Sequence, residues 1–374
     1  MKYLPFARPT LDEETILGVV EVLRSGWITS GPKVIEFEAA LSAYFGGRPV
    51  RVLTSATAAL EIALLAAGVG PGDEVILPAT TFAASANVVL RVGARPVFVD
   101  VGLDTRNIDV DAVAAAVSPR TRAIMPVHFA GLAADVDGLY AIAKRHDLRV
   151  IEDAAHAIGT VSRGRRIGSI GDLVCFSFHA NKNLTTIEGG AIVADRADEL
   201  LAIERQRFHG LEKRGPDVFE VTVAGGKANL TDVAARIGIG QLARLDEFNA
   251  SRRRLAARYF ELWASDPPVR LPARGDEGHS WHMLAPLLEL DRCALTRRQY
   301  MGAMDARGIG VGVHYPPLHL FALYRRLGYQ PGQFPNAERI GRETVTLPLF
   351  PAMSVADVDR VVGATDEILR PTSA

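Results

Sequence analysis

The sequence predicts an α/β protein, with a large domain on a mostly parallel sheet followed by a smaller α+β domain. Three observations carry this. From about residue 50 to 195, short β-branched runs alternate with Ala-rich stretches of helical period, the rhythm of a parallel sheet covered by helices on both faces. Beyond Asn229 that rhythm gives way to two long helical patterns. Gly and Pro, 34 and 21 of 374 residues, are too few to signal disorder.

Along the chain, apolar runs mostly bounded by Gly, Pro or small polar residues place strands at 51–53, 74–77, 95–99, 123–127, 149–152, 173–178 and 191–194. Helical patterns at 56–67, 85–92, 110–116 and 136–145 lie between them. The long patterns at 232–242 and 246–263 set a boundary near 246, giving domains 1–245 and 246–374. The run Arg252-Arg-Arg is expected on a solvated face of the second helix. Strands at 281–288 and 312–315, with helices at 296–307 and 355–368, complete the smaller domain.

Composition removes several functions. The 42 basic and 43 acidic side chains nearly cancel, so no positive field favours a phosphate backbone and no nucleic-acid partner is expected. Cys175 and Cys293, far apart and the only cysteines, suit a reducing compartment and exclude a disulfide framework or a CxxC metal knuckle. The N-terminal stretch turns polar too early for a signal peptide, and no run of eighteen apolar residues occurs. The expectation is a cytoplasmic protein with no membrane partner and no metal. Gly68-Val-Gly-Pro-Gly-Asp73 superficially resembles a dinucleotide fingerprint, but it follows a helix and precedes a strand, so it reads as a turn.

In an open α/β sheet, ligands bind beyond the carboxyl ends of the strands, and four loops there carry candidates. Thr54-Ser-Ala56-Thr57 opens an apolar helix whose free amides and dipole suit a phosphate, with a plain N-cap as the alternative. Pro78-Ala-Thr-Thr-Phe82 offers an aromatic ring, either a stacking platform or a core residue. Glu152-Asp153-Ala-Ala-His156 puts a carboxylate at the sheet edge, where it needs a cation such as a protonated pyridine nitrogen. A capping Asp and a structural His are the alternative. The strand at 173–178 runs into His179-Ala-Asn-Lys182 and then Glu188-Gly-Gly190. A sheltered amine there is a candidate nucleophile toward a carbonyl, against a solvated loop lysine. Together these loops make a kit for pyridoxal 5'-phosphate: a helix N-terminus for phosphate, Phe82 for a ring face, Asp153 for the pyridine nitrogen and Lys182 for the aldehyde.

These motifs continue through Gly26-Trp-Ile-Thr-Ser-Gly-Pro32, Val127-His128, Phe208-His-Gly-Leu211, Asn229-Leu-Thr-Asp232 and Leu347-Pro-Leu-Phe-Pro351. Along nearly the whole chain they resemble the sugar-nucleotide aminotransferases of the DegT/DnrJ/EryC1/StrS family. The resemblance implies fold type I of the pyridoxal phosphate enzymes, a homodimer with active sites at the subunit interface, and transfer of an amino group from L-glutamate to the C4 ketone of a nucleotide-linked sugar. By the same resemblance Lys182 is the catalytic lysine that joins the cofactor, Asp153 its pyridine partner, His156 the side chain near its phenolic oxygen and Phe82 the stacking aromatic. Ala56, Thr57 and Ser177 match phosphate contacts, Asn229 a phosphate contact reaching in from the other subunit, and His179 a residue near the cofactor. Trp27, Thr29 and Tyr315 are expected to line the sugar pocket, with core aromatics the alternative for Trp27 and Tyr315. Within the family the segments are most similar to the aminotransferase that makes UDP-4-amino-4-deoxy-L-arabinose for lipid A modification. Phe82, Thr186-Ile187 and His314-Tyr-Pro-Pro-Leu-His319 depart from it where substrate should bind. Lys182 argues against the keto-sugar dehydratases that carry histidine there, and the pair Lys182 and Asp153 argues against a non-catalytic sensor retaining the fold.

Overall fold

The computed structural model describes residues 3–292 and 295–370, so Cys293 lies outside the described residues. Its seven-stranded sheet contains β1 (Val50–Leu53), β2 (Glu74–Pro78), β3 (Arg95–Val99), β4 (Thr121–Ile124), β5 (Arg149–Asp153), β6 (Leu173–Ser177) and β7 (Gly190–Val193), in the order β1-β7-β6-β5-β4-β2-β3. β7 runs antiparallel to β1 and β6, and the remaining pairs are parallel. β2 and β6 are buried throughout, which is why 75–78 and 173–176 read as apolar runs, flanked by the buried polar Glu74 and Ser177. The expected fourth strand stops at Ile124, because Pro126 has no N–H for the ladder; Val127 makes only a bridge to Asp153.

Helices α1 (Glu13–Ser25) and α2 (Pro32–Tyr44) precede the sheet. Between strands, or after the last, come α3 (Ala56–Ala66), α4 (Ala83–Arg91), α5 (Val110–Ala116), α6 (Val136–His146) and α7 (Ala197–Arg207). α8 (Asp232–Ala243) packs against α1 and α2. Its buried Asp232 accepts from the amides of Gly31 and Val34 at 2.8 and 2.9 Å, tying the start of α2 to the start of α8.

The rest of the chain forms α9 (Leu245–Leu262), α10 (Arg297–Ala306), α11 (Ala322–Arg325), α12 (Pro335–Glu343) and α13 (Val355–Leu369). Leu255, Tyr259, Trp263, Tyr300, Met304 and Val361 form a second core, joined by Leu4. Leu318, Tyr324 and Ile340 return to the core under the sheet. The expected strand at 281–288 contracts to Leu287–Leu288, paired with Val269–Arg270, since Pro286 cannot donate. Arg252 corrects a further expectation: it shares the buried stripe of α9 with Phe248, Asn249, Leu255 and Tyr259. Its guanidinium donates to the carbonyls of Trp281, His282 and Leu349 instead of meeting solvent. Among the described residues, no helix is long and apolar enough to cross a membrane.

Candidate active site

The carboxyl ends of β1, β2, β5 and β6 and the start of the antiparallel β7 share one edge of the sheet. A cavity of about 320 Å³ opens there, lined by Ala56, Thr57, Phe82, Asp153, His156, Ser177, His179, Lys182 and Tyr315 among others. Nine residues expected from the sequence thus meet in one place.

Ser55 caps α3 by accepting from the Ala58 amide at 3.1 Å, so the plain N-cap reading is right for that residue. The amides of Ala56 and Thr57 precede the first intrahelical bond and face the cavity, where they suit an anion. Gly190 explains the Gly-Gly pair: a Cβ on it would lie 2.5 to 2.6 Å from the Ser55–Ala56 peptide, within the wall of that cradle. The Ser177 hydroxyl accepts from the His179 amide at 3.4 Å, which leaves its own hydrogen free. Phe82 is 59 % exposed at the N-terminus of α4, a ring facing open space instead of the core.

Asp153 is 5 % exposed at the end of β5. Ser85 Oγ donates to its Oδ2 at 2.7 Å and the Ala155 amide to its Oδ1 at 3.1 Å. Burial nevertheless raises its pKa above the ordinary carboxylate value, outweighing Ser85, Ala155 and the charge of Lys182. A buried carboxylate facing a cavity in this state fits a cationic ring nitrogen. The half-buried Lys182 opens onto the same cavity, and burial pulls its amine from the ordinary 10.5 down to about 8 against the attraction of Asp153.

His156 Nδ1 accepts from the Ala130 amide at 3.3 Å, which assigns the ring proton to Nε2 and makes it the donor to Tyr315 Oη at 3.2 Å. Burial holds this imidazole neutral, with its pKa well below the usual value. Tyr315 therefore belongs to the cavity and not to a remote core.

Sequence reasoning missed His282, which stacks on His156 with ring centroids 4.5 Å apart, and Ser85 behind Asp153. Thr81 Oγ1 lies 2.9 Å from Ser85 Oγ, and this four-residue hydroxyl spacing was the available signal; His282 had none. Three expected residues stay outside the cavity. Trp27 is 59 % exposed, Thr29 is exposed, and Asn229 donates to Ser30 Oγ at 2.5 Å while accepting from Lys227 Nζ.

The model of the DegT/DnrJ/EryC1/StrS aminotransferase family matches residues 9–366. The chain belongs to that family. This DegT-family aminotransferase is 41% identical over 381 residues to the spore coat polysaccharide biosynthesis protein SpsC of Bacillus subtilis, covering 98% of this chain and 97% of that one. It is 34% identical to the PLP-form of the putative sugar aminotransferase Spr1654 from Streptococcus pneumoniae, with TM-score 0.93 and complete coverage of both chains at 100%. Helicobacter pylori PseC, an aminotransferase involved in the biosynthesis of pseudoaminic acid, gives TM-score 0.93 at 27% identity, with 98% of this chain and 99% of that one covered. The fold is fold type I, the protein is a sugar aminotransferase, and its cofactor is pyridoxal 5'-phosphate. The residues fit that cofactor: an anion cradle at α3, an exposed ring at Phe82, a buried carboxylate and a sheltered amine surround one cavity.

Proposed function

We propose that this DegT-family aminotransferase moves the amino group of L-glutamate to the C4 ketone of a nucleotide-linked keto sugar. The sugar is a UDP-4-keto-pentose or a related 4-keto-6-deoxyhexose, and the product serves cell-surface polysaccharide or lipid A modification in the cytoplasm. The observation that supports this most is the placement of the Lys182 amine and the buried Asp153 carboxylate on one cavity.

Bound there, pyridoxal phosphate supplies an electron sink for the carbon that loses a proton. Lys182, pulled to about 8, has a fraction of neutral amine at neutral pH and moves that proton. Asp153 would face the ring nitrogen, whose positive charge favours the carboxylate form that burial alone disfavours, with Ser85 and the Ala155 amide fixing its two oxygens. Ala56, Thr57 and Ser177 hold the phosphate. His156 accepts no proton from Tyr315, since its Nε2 is itself the donor, so the Tyr315 hydroxyl hydrogen is free to meet an oxygen in the cavity. His179 lies at the exposed rim.

Asn229, Trp27 and Thr29 lie outside this chain's own cavity and act from across a homodimer interface, Asn229 on the partner's phosphate and the other two on its sugar. Exposed Trp27, Ile28, Phe208, Phe219 and Val221 supply apolar surface for such an interface. The test is a panel of UDP- and dTDP-4-keto sugars offered with glutamate, scored by 2-oxoglutarate release. Release with none of them, from protein shown to carry cofactor, refutes the substrate reading.

A further inference from the structure

Arg106 carries a buried charge that the cofactor cavity does not use. It is 2 % exposed, and none of Nε, Nη1 and Nη2 has a hydrogen-bond partner among the described residues. A buried guanidinium carries five donors, so leaving all of them unmade is far more costly than losing one hydrogen bond. The nearby carboxylates do not answer it. Asp104 accepts from Arg270 Nε at 2.9 Å, and its side chain is 54% exposed, so solvent weakens its pull on Arg106. Glu343 accepts from Arg339 Nε at 3.0 Å. Each acid is already matched by another arginine, and the charge on Arg106 is left over. Burial lowers its pKa to about 10, which still leaves it protonated at neutral pH.

Arg106 sits in the turn after β3, where the Gly102 amide donates to Asn107 O at 2.9 Å and the Arg106 amide to Gly102 O at 2.8 Å. Its φ of 61° lies in the left-handed region. A glycine or asparagine would take that conformation at less cost, so the turn gives no reason of its own for a long cation there. The side chain lines a small pocket of about 10 Å³ beside Phe129, Leu132, His279, Trp281 and Met283. That is room for one small sphere, a water or a single monatomic ion, and not for a polyatomic group. His279 is neutral, its pKa pulled by burial to about 3, and it stacks on Trp281 with centroids 3.9 Å apart. Asp104 also lines the pocket, with its carboxylate engaged by Arg270.

We propose that Arg106 binds a small monovalent anion of halide size, chloride in a cell, between the turn at Phe129 and the segment 279–283. Chloride supplies the missing negative charge, accepts several of the free N–H groups, and tolerates an apolar wall on its other side. Phosphate, sulfate and carboxylic acids exceed the room. The site is separate from the cofactor cavity, although Phe129 stands between them, its ring 6.0 Å from His156 and 6.2 Å from Tyr315. The bound ion thus ties the segment carrying His282 to the large sheet.

The experiment uses cofactor-loaded protein. Its unfolding temperature is measured in sodium chloride, sodium bromide and sodium gluconate at matched ionic strength. The expected result is a saturable rise with chloride and bromide beyond gluconate, on the order of a few degrees across a hundredfold range of halide. Arg106→Met should lose that specific response and, freed of the buried charge, be at least as stable as the wild type in gluconate. Crystals soaked in bromide should show an anomalous peak within hydrogen-bond distance of Arg106, which needs no variant. Halides acting no differently from gluconate, Arg106→Met retaining the halide response, or water in place of bromide beside Arg106 would each overturn the proposal.

Discussion

Lys182 should make the cofactor-free protein measurably less stable at neutral pH than a version lacking the amine. Its pKa in the folded chain is about 8, against an ordinary 10.5 when exposed, and the cause is burial opposed by Asp153. At 1.36 kcal/mol per pK unit, the folded state loses about 3 kcal/mol by carrying the ammonium form. Below pH 8 both states are protonated and the loss is complete. Between about 8 and 10.5 the unfolded chain holds a proton that the folded chain has released, so stability rises with pH; above 10.5 the loss is gone. Lys182→Met should therefore stabilise the apoprotein at pH 7 by up to about 3 kcal/mol, with the advantage vanishing by pH 10.5. Removing the amine also takes a favourable charge from Asp153, which trims the gain. The double variant Lys182→Met with Asp153→Asn isolates the effect of the lysine itself. Urea midpoints at constant slope, read from pH 7 to 10.5, provide the assay. An advantage independent of pH, or a wild-type apoprotein more stable than Lys182→Met at pH 7, would refute the assignment of a desolvated amine.

Other outcomes follow from the same geometry. In protein loaded with cofactor, borohydride reduction and peptide mapping should label Lys182, and label on another lysine would remove its role. Asp153→Asn should lower turnover roughly 10²- to 10³-fold, the scale of one preorganised electrostatic group, while cofactor binding changes much less; near-normal turnover contradicts the pairing with the ring nitrogen. Gly190→Ala forces a Cβ to within 2.5 Å of the Ser55 carbonyl carbon and should weaken cofactor retention, measured by the visible absorbance left after dialysis. Its contrast is Gly302→Ala in α10, where a Cβ meets nothing within 4 Å; this change should leave cofactor binding intact and stabilise by about 0.4–1 kcal/mol in urea unfolding. Lys182→Ala and Asn229→Asp, each inactive, should recover partial activity when refolded together, because one site of the mixed dimer carries neither lesion; no recovery in proven heterodimers counts against a shared site.

What the sequence disclosed depends on how locally each feature is determined. Parallel strands buried on both faces read as apolar runs, and the short polar segments at their ends must fall on one edge, so the placement of Asp153 and Lys182 at the edge where the cavity opens was legible without any structure. Phe82 could not be sorted between core and cavity by residue type, because its exposure depends on the loop that places it at the start of α4. Arg252 shows a related limit: a triple arginine suggests solvent, but the third position after Asn249 and the fourth after Phe248 continue the buried stripe, and carbonyl acceptors come from residues 281, 282 and 349. Trp27, Thr29 and Asn229 do not line the cavity, and no local pattern in their segments tells a cavity residue from an exposed one.

The supports behind the cavity join its two halves. Asn183, the residue after Lys182, donates to Asn249 Oδ1 at 2.8 Å and to Ser280 O at 2.9 Å. Its Oδ1 then accepts from His282 Nδ1 at 3.1 Å, and His282 lies flat against His156. Arg252 fixes the carbonyls of Trp281 and His282 from α9. The backbone next to Lys182 and the His156 ring are thus braced by one buried polar group, in which each member leaves another unpaired if removed. Since Asn249 and Arg252 stand on α9 and His282 on the segment that leads into the second core, the geometry of the cavity at the sheet edge depends on the docking of the C-terminal part. A substitution at Asn183 or Arg252 should therefore reach the chemistry without touching a substrate atom, through the orientation of Lys182 and His156.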